Sequence, residues 1–151
     1  MPGGTTTDPS ADVLIVDGLL WRGPITSRDA LRRATADLRS LGTAIESYSV
    51  DFSFYPTIDG YQTWEALQPT LEPVYIRRVP LLDPWNTPFG AWSRFLDGYA
   101  LVSYGSDGTP EHDYASWGME EWSSLTPTQT VEPGRDIVFV NGQFVQWPLP
   151  M

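Results

Sequence analysis

The 151-residue chain has no cysteine, no lysine and a single histidine, His112. Without cysteine there are no disulfides, no thiolate nucleophile and no cysteine-ligated zinc. One histidine excludes a histidine metal triad within one chain, and no nucleophile-elbow motif accompanies it, so Ser-His-Asp hydrolysis has no footing. Cations are scarce as well: nine, all Arg, against nineteen acids, for a net charge of −10. Residues 1–42 hold five Arg against five Asp, whereas residues 43–151 hold four Arg against fourteen acids, so the charge lies entirely in the second part. Such a surface lacks the clustered cations that displace phosphate counterions, which excludes nucleic-acid binding. It is also repelled by anionic lipid. Long apolar runs are missing too. The most apolar stretch near the start, Val13-Leu14-Ile15-Val16 and then Leu19-Leu20-Trp21, is broken by Asp17-Gly18. A spanning helix needs roughly 20 apolar residues, and a signal peptide needs a basic start. No membrane contact is expected from the residues present.

Aromatic side chains, by contrast, are plentiful: seven Trp, seven Tyr and six Phe. A chain of this length and content builds one domain with a real core. Residues 1–10 read as a flexible tail and Asp12 to Trp21 as a short strand, so residues 1–26 stand apart as a flexible or atypical segment. The globular domain is expected over 27–151. Thr26 or Ser27 can cap a helix there, with Asp29 in its first turn, where the helix dipole favours an anion. Leu31, Ala34, Leu38, Leu41, Ile45 and Tyr48 follow in alternating steps of three and four, a helical stripe sustained to Val50. Fewer than three heptads is short for a coiled coil, so the stripe is expected to lie on a sheet. Tyr55-Pro56 should stop the helix. Thr63 to Leu67 reads as a short helical piece closed by Pro69 and Pro73. Strands are expected at 89–95, 98–104, 136–140 and 143–147, the last two joined by Asn141-Gly142, the strongest short hairpin signal. Between Gly108 and Arg135 no period is visible, and the segment reads as a long loop. Together these elements make an α+β domain.

The densest signal is Asp83-Pro84-Trp85-Asn86-Thr87-Pro88-Phe89, a rigid apolar loop that must lie against a core. Asp83 reads there as a turn former whose carboxylate caps backbone donors. The loop is followed by Tyr104-Gly105-Ser106-Asp107-Gly108. With the helix ending at Tyr55-Pro56, these motifs occur in the order found in major pseudopilins of bacterial type II secretion, relatives of type IV pilins, and the chain resembles that family over about residues 31–108 and 136–147. The resemblance implies a pilin-like fold, one long N-terminal helix packed on a small antiparallel sheet with ordered loops and a C-terminal hairpin. It implies a structural role and no enzymatic one: a homo-oligomeric filament in the periplasm, made of pseudopilin subunits and working with other secretion-machine components. Family members are anchored in the inner membrane by a long apolar helix behind a basic leader, and residues 1–30 show neither.

The resemblance also implies a calcium loop. Asp107 and Asp136 would be side-chain ligands, with carbonyls near Tyr104 and Thr109, in keeping with calcium's demand for six to eight oxygens. The family places two acids before an Ile, but here Arg135 takes the first position before Asp136-Ile137, and the loop is longer. Two closures stay open: Asp113 or Glu111 substitutes as a ligand, or Arg135 pairs with Asp107 in place of an ion. A reading from another class also stands beside the filament: a soluble extracytoplasmic binding module whose Trp- and acid-rich 109–135 loop holds a glycan or protein.

Overall fold

The computed structural model describes residues 13–16, 19–22, 27–130, 132 and 134–148; the tail expected at 1–10 lies outside them. Strands β1 (Val13–Val16) and β2 (Leu19–Arg22) pair antiparallel with each other and with no strand of the main sheet. The single strand expected over 12–21 is thus two, divided at Asp17-Gly18.

Helix α1 (Ser27–Phe52) runs 26 residues, about 39 Å. Ala34, Leu38, Leu41 and Ile45 are buried as their spacing requires, and Ala30 and Ala44 widen the stripe. Gly42 lets the helix approach the sheet closely, because a Cβ there would stand 2.4 Å from the Phe139 ring. The helix stops before Tyr55-Pro56. Ser53 adopts a left-handed φ of 66° and donates its N–H to the Ser49 carbonyl at 2.8 Å, while the Tyr55 N–H reaches the Phe95 carbonyl at 2.8 Å.

Next come β3 (Gln62–Thr63), a 3-10 turn at Trp64–Leu67 and α2 (Gln68–Leu71). Pro69 does not close the helical piece; it sits in the first turn of α2, where its missing N–H costs nothing. Trp64 is fully buried, stacks on Phe89 at 3.9 Å and donates its indole N–H to the Gly90 carbonyl at 2.8 Å.

The main sheet adds β4 (Gly90–Arg94), β5 (Gly98–Ser103), β6 (Thr128–Thr130), β7 (Ile137–Val140) and β8 (Gln143–Pro148), in the order β3-β4-β5-β7-β8-β6. Its pairs are antiparallel except β6 with β8, which is parallel. The β7–β8 hairpin turns at Asn141 and Gly142, with φ of 49° and 91°, the positive pair that Asn-Gly tolerates.

Every residue of β5 and β7 is buried. Tyr99, Leu101, Ile137 and Phe139 share one core with α1; Ala100, Val102, Val138 and Val140 share a second with Tyr114 and Trp122. The sheet is therefore covered on both faces. Its second cover comes from the segment expected to be a long loop, which instead carries a 3-10 turn at Tyr114–Ser116, α3 (Met119–Ser123) and β6. Strands apolar on both faces leave an uncovered face in water unless something packs there.

Candidate functional site

Residues 104–136 leave β5 and return to β7, and every residue expected at the site lies on this excursion. Gly105–Asp107 form a 3-10 turn ended by Gly108 in the left-handed conformation. Asp107 is exposed at its end; its Oδ1 accepts the Thr109 N–H at 2.8 Å, and the Thr109 hydroxyl donates to the Asp107 carbonyl at 3.2 Å. Asp113 is exposed. Its carbonyl accepts the Ser116 N–H and hydroxyl, so it serves the next turn.

Asp136 is the centre of the arrangement. It is wholly buried. Its Oδ2 accepts the Glu111 N–H at 2.9 Å and the Tyr114 hydroxyl, while its Oδ1 is buried with no hydrogen-bond partner. Burial pushes the Asp136 carboxyl up to about 6, against the bonds from Tyr114 and Glu111; the charges of Glu111 and Asp107 push the same way as burial. Tyr114 is raised in turn, first by its own burial and then by Asp136. A buried carboxylate oxygen without a hydrogen-bond partner, electrostatically coupled to a second carboxylate, has a strong affinity for a proton or a cation.

Arg135 does not pair with Asp107. Its guanidinium binds Glu111, whose other oxygen accepts the Gln146 amide at 2.9 Å. Burial alone would push Glu111 up, but the bonds from Gln146 and Arg135 outweigh it and hold the carboxyl below the ordinary carboxylate range. Gln146 also donates to the Asp136 carbonyl at 2.7 Å, stitching β8 to the start of β7. Both oxygens of Glu111 are thereby held in side-chain contacts. Tyr114 and Gln146 carried no sequence signal as site residues: each joins Asp136 or Glu111 through contacts far apart along the chain. Trp122, in the Trp- and acid-rich segment, is buried against Tyr114, with ring centroids 5.1 Å apart and stacked. Among the described residues there is no group of three or more His, Cys, Asp or Glu placed to hold a metal.

Behind the site, Asp83 is buried as a turn former. Its Oδ1 accepts the Trp85 N–H at 3.0 Å and the Thr87 N–H at 2.9 Å, and its Oδ2 lies 3.4 Å from the Ser103 hydroxyl at the end of β5. The Asp-Pro-Trp loop is thus fastened to the strand that leads into the site.

Long helix, apolar loop and Gly-Ser-Asp-Gly turn therefore sit on one scaffold in the order the sequence suggested, and a family model for protein G of the type II secretion system matches residues 26–122. The chain belongs to the type II secretion system protein G family. It is 30% identical over 101 residues to the core protein G of Pectobacterium carotovorum subsp. carotovorum, covering 60% of this chain and 64% of that protein. With the Escherichia coli (strain K12) core protein G it shares 33% over 103 residues, covering 60% and 69%. With that of Klebsiella pneumoniae it shares 34% over 99 residues, covering 57% and 69%. The chain thus spans about two thirds of the length of these relatives. No solved structure matches it. Of this pseudopilin's two expected carboxylate ligands, Asp107 falls inside the matched region and Asp136 beyond it. Among the described residues no helix is long and apolar enough to cross a membrane.

The raised Asp136 carboxyl carries a pH signature. Its folded value of about 6 lies above the 3.8 of an unperturbed Asp, so the folded state holds the proton more tightly. The resulting stabilisation is complete below the unfolded value and is lost as pH rises through 6. In EDTA, lowering the pH from 7 to 5 should raise stability by about 1.3 kcal/mol from this group. Denaturant unfolding at the two pH values checks it. In Asp136→Asn that increment should vanish.

Proposed function

We propose that this chain is a non-enzymatic structural subunit of a type II secretion pseudopilus, acting outside the cytoplasm in a filament with other pseudopilins and serving protein export. The observation that carries the reading is the family's motifs set on one scaffold, with α1 sharing a core with β5 and β7. Affinity-tagged full chain, cross-linked in its own host and purified, should recover other secretion-system components, identified by mass spectrometry. Recovery of none would sink the reading. The use of Tyr114 and Trp122 as a second core supports a structural role over a glycan- or protein-holding loop.

The same reading includes a Ca²⁺ bound by the 104–136 excursion. The free, buried Oδ1 of Asp136 and the carboxylate of Asp107 fit a hard cation that takes oxygen ligands, with backbone carbonyls near Tyr104 and Thr109 completing the set. The ion would supply no catalytic chemistry; it would tie the turn after β5 to the start of β7. Saturation at about 100 times the dissociation constant adds about 2.7 kcal/mol. Thermal unfolding in millimolar Ca²⁺ should therefore lie several degrees above that in EDTA, and the difference should disappear in Asp107→Ala. Equal midpoints in the wild type would mean that the Arg135–Glu111 pair and the Asp136 bonds close the excursion without an ion.

A further inference from the structure

The two carboxylates that fit a calcium ion stand on opposite legs of the 104–136 excursion, Asp107 on the way out and Asp136 on the return. Their charges repel, so bringing them together needs groups that are not themselves ligands. Arg135, Glu111 and Gln146 are placed to do so. Gln146 is fixed from both sides, in register with Val138 of β7 and with Thr128 of β6. Its amide nitrogen has two N–H donors, and its bonds divide between the legs. One reaches Glu111 Oε1 at 2.9 Å on the outward leg, and the other reaches the Asp136 carbonyl at 2.7 Å on the return. Arg135 holds the second Glu111 oxygen.

The effect extends to both carboxylates. With its side chain held, Glu111 presents its own N–H to Asp136 Oδ2 at 2.9 Å. The Tyr114 hydroxyl takes the same oxygen, which leaves Oδ1 over. Two residues before Glu111, the Thr109 N–H ends on Asp107 Oδ1 at 2.8 Å. Two residues span at most about 7 Å, so where Glu111 is pinned limits where Asp107 can be. Asp107 comes to rest beside the return leg: a Cβ on Gly134 would stand 3.5 Å from its Oδ2.

We propose that Arg135 and Gln146 are positioning residues for the cation site, acting through Glu111 to hold Asp107 and the free oxygen of Asp136 within reach of one Ca²⁺. This deepens the calcium reading and rests on it. Charge alone points the other way. Arg135 is a cation felt by Asp136, and taking it away removes repulsion for a bound cation and releases the Glu111 carboxylate. By charge, neutralising Arg135 tightens Ca²⁺ binding; by placement, it weakens it.

Calorimetric titration of the full chain with Ca²⁺, at fixed pH and salt, separates the two, using Arg135→Met, Arg135→Lys and Gln146→Met. The Arg135 side chain is 41% exposed and Gln146 is partly exposed, so the variants should fold, with midpoints in EDTA close to that of wild type. Losing a partner that orients a metal ligand costs roughly 10–100-fold in affinity. Arg135→Met and Gln146→Met should therefore each bind Ca²⁺ at least about 10-fold more weakly than wild type. Arg135→Lys, which returns a cation to Glu111, should recover part of the loss. Binding by Arg135→Met as tight as wild type, or tighter, would overturn the proposal and leave the calcium reading standing. Unchanged affinity in a folded Gln146→Met would overturn it too. A wild type that takes up no Ca²⁺ would remove the calcium reading itself, and this inference with it.

Discussion

Replacing Trp64 with alanine should cost about 3–5 kcal/mol, the largest single loss expected in this protein. The side chain is wholly buried. It stacks on Phe89 at 3.9 Å and joins Leu67, Leu71 and Val79 in the core under α1. Its indole N–H is also the partner of the Gly90 carbonyl at the start of β4. Truncation opens a cavity and strips that bond together. For a domain of this size each kcal/mol is worth about 2–4 °C in midpoint, so thermal unfolding should start about 10 °C lower. Trp64→Phe keeps the stacking and loses the bond, and should cost about 1–2 kcal/mol. A drop of a degree or two in Trp64→Ala would mean that the apolar loop is not seated on the core.

The second large effect is expected at Asp83. Two backbone N–H groups, of Trp85 and Thr87, end on one of its oxygens, and the Ser103 hydroxyl faces the other. Burial raises the carboxyl, and those three bonds oppose the rise. Asp83→Ala leaves buried donors without an acceptor and should cost about 3 kcal/mol. Asp83→Asn keeps an oxygen where Oδ1 stands, so it should lose less than half as much. Urea unfolding of the pair separates a capping role from a charge role. Equal losses in the two variants would assign the effect to charge and contradict the geometry.

The elements that the chain announces are those with a local period or a local turn chemistry. Leu38, Leu41 and Ile45 mark α1 because a helix repeats every 3.6 residues, and Asn141-Gly142 marks the hairpin because both residues tolerate positive φ. Asp83 was legible for the same reason, since its bonds reach only two and four residues along the chain. The third layer was hidden. Tyr114 and Trp122 sit in turns of three and five residues, too short to show a period. Their burial depends on the second faces of β5 and β7, whose unbroken apolar runs, Tyr99 to Val102 and Ile137 to Val140, were the available hint. At the site, Asp107 and Asp136 stood out by motif. The partner of Arg135 did not: Glu111 is 24 residues away, and its closeness follows from how 109–135 folds back on the sheet. The parallel pairing of β6 with β8 is likewise a product of that return path.

The function proposed for this pseudopilin is to serve protein export as a filament subunit. The most direct measurement is to delete its gene in the host and compare proteins in the medium with those retained in the cells. Exported proteins should fall in the medium and accumulate behind the outer membrane. Export should be restored by the wild-type chain and not by Trp64→Ala at growth temperatures where that variant is unfolded. Unchanged export in the deletion strain would rule out the proposed role in export.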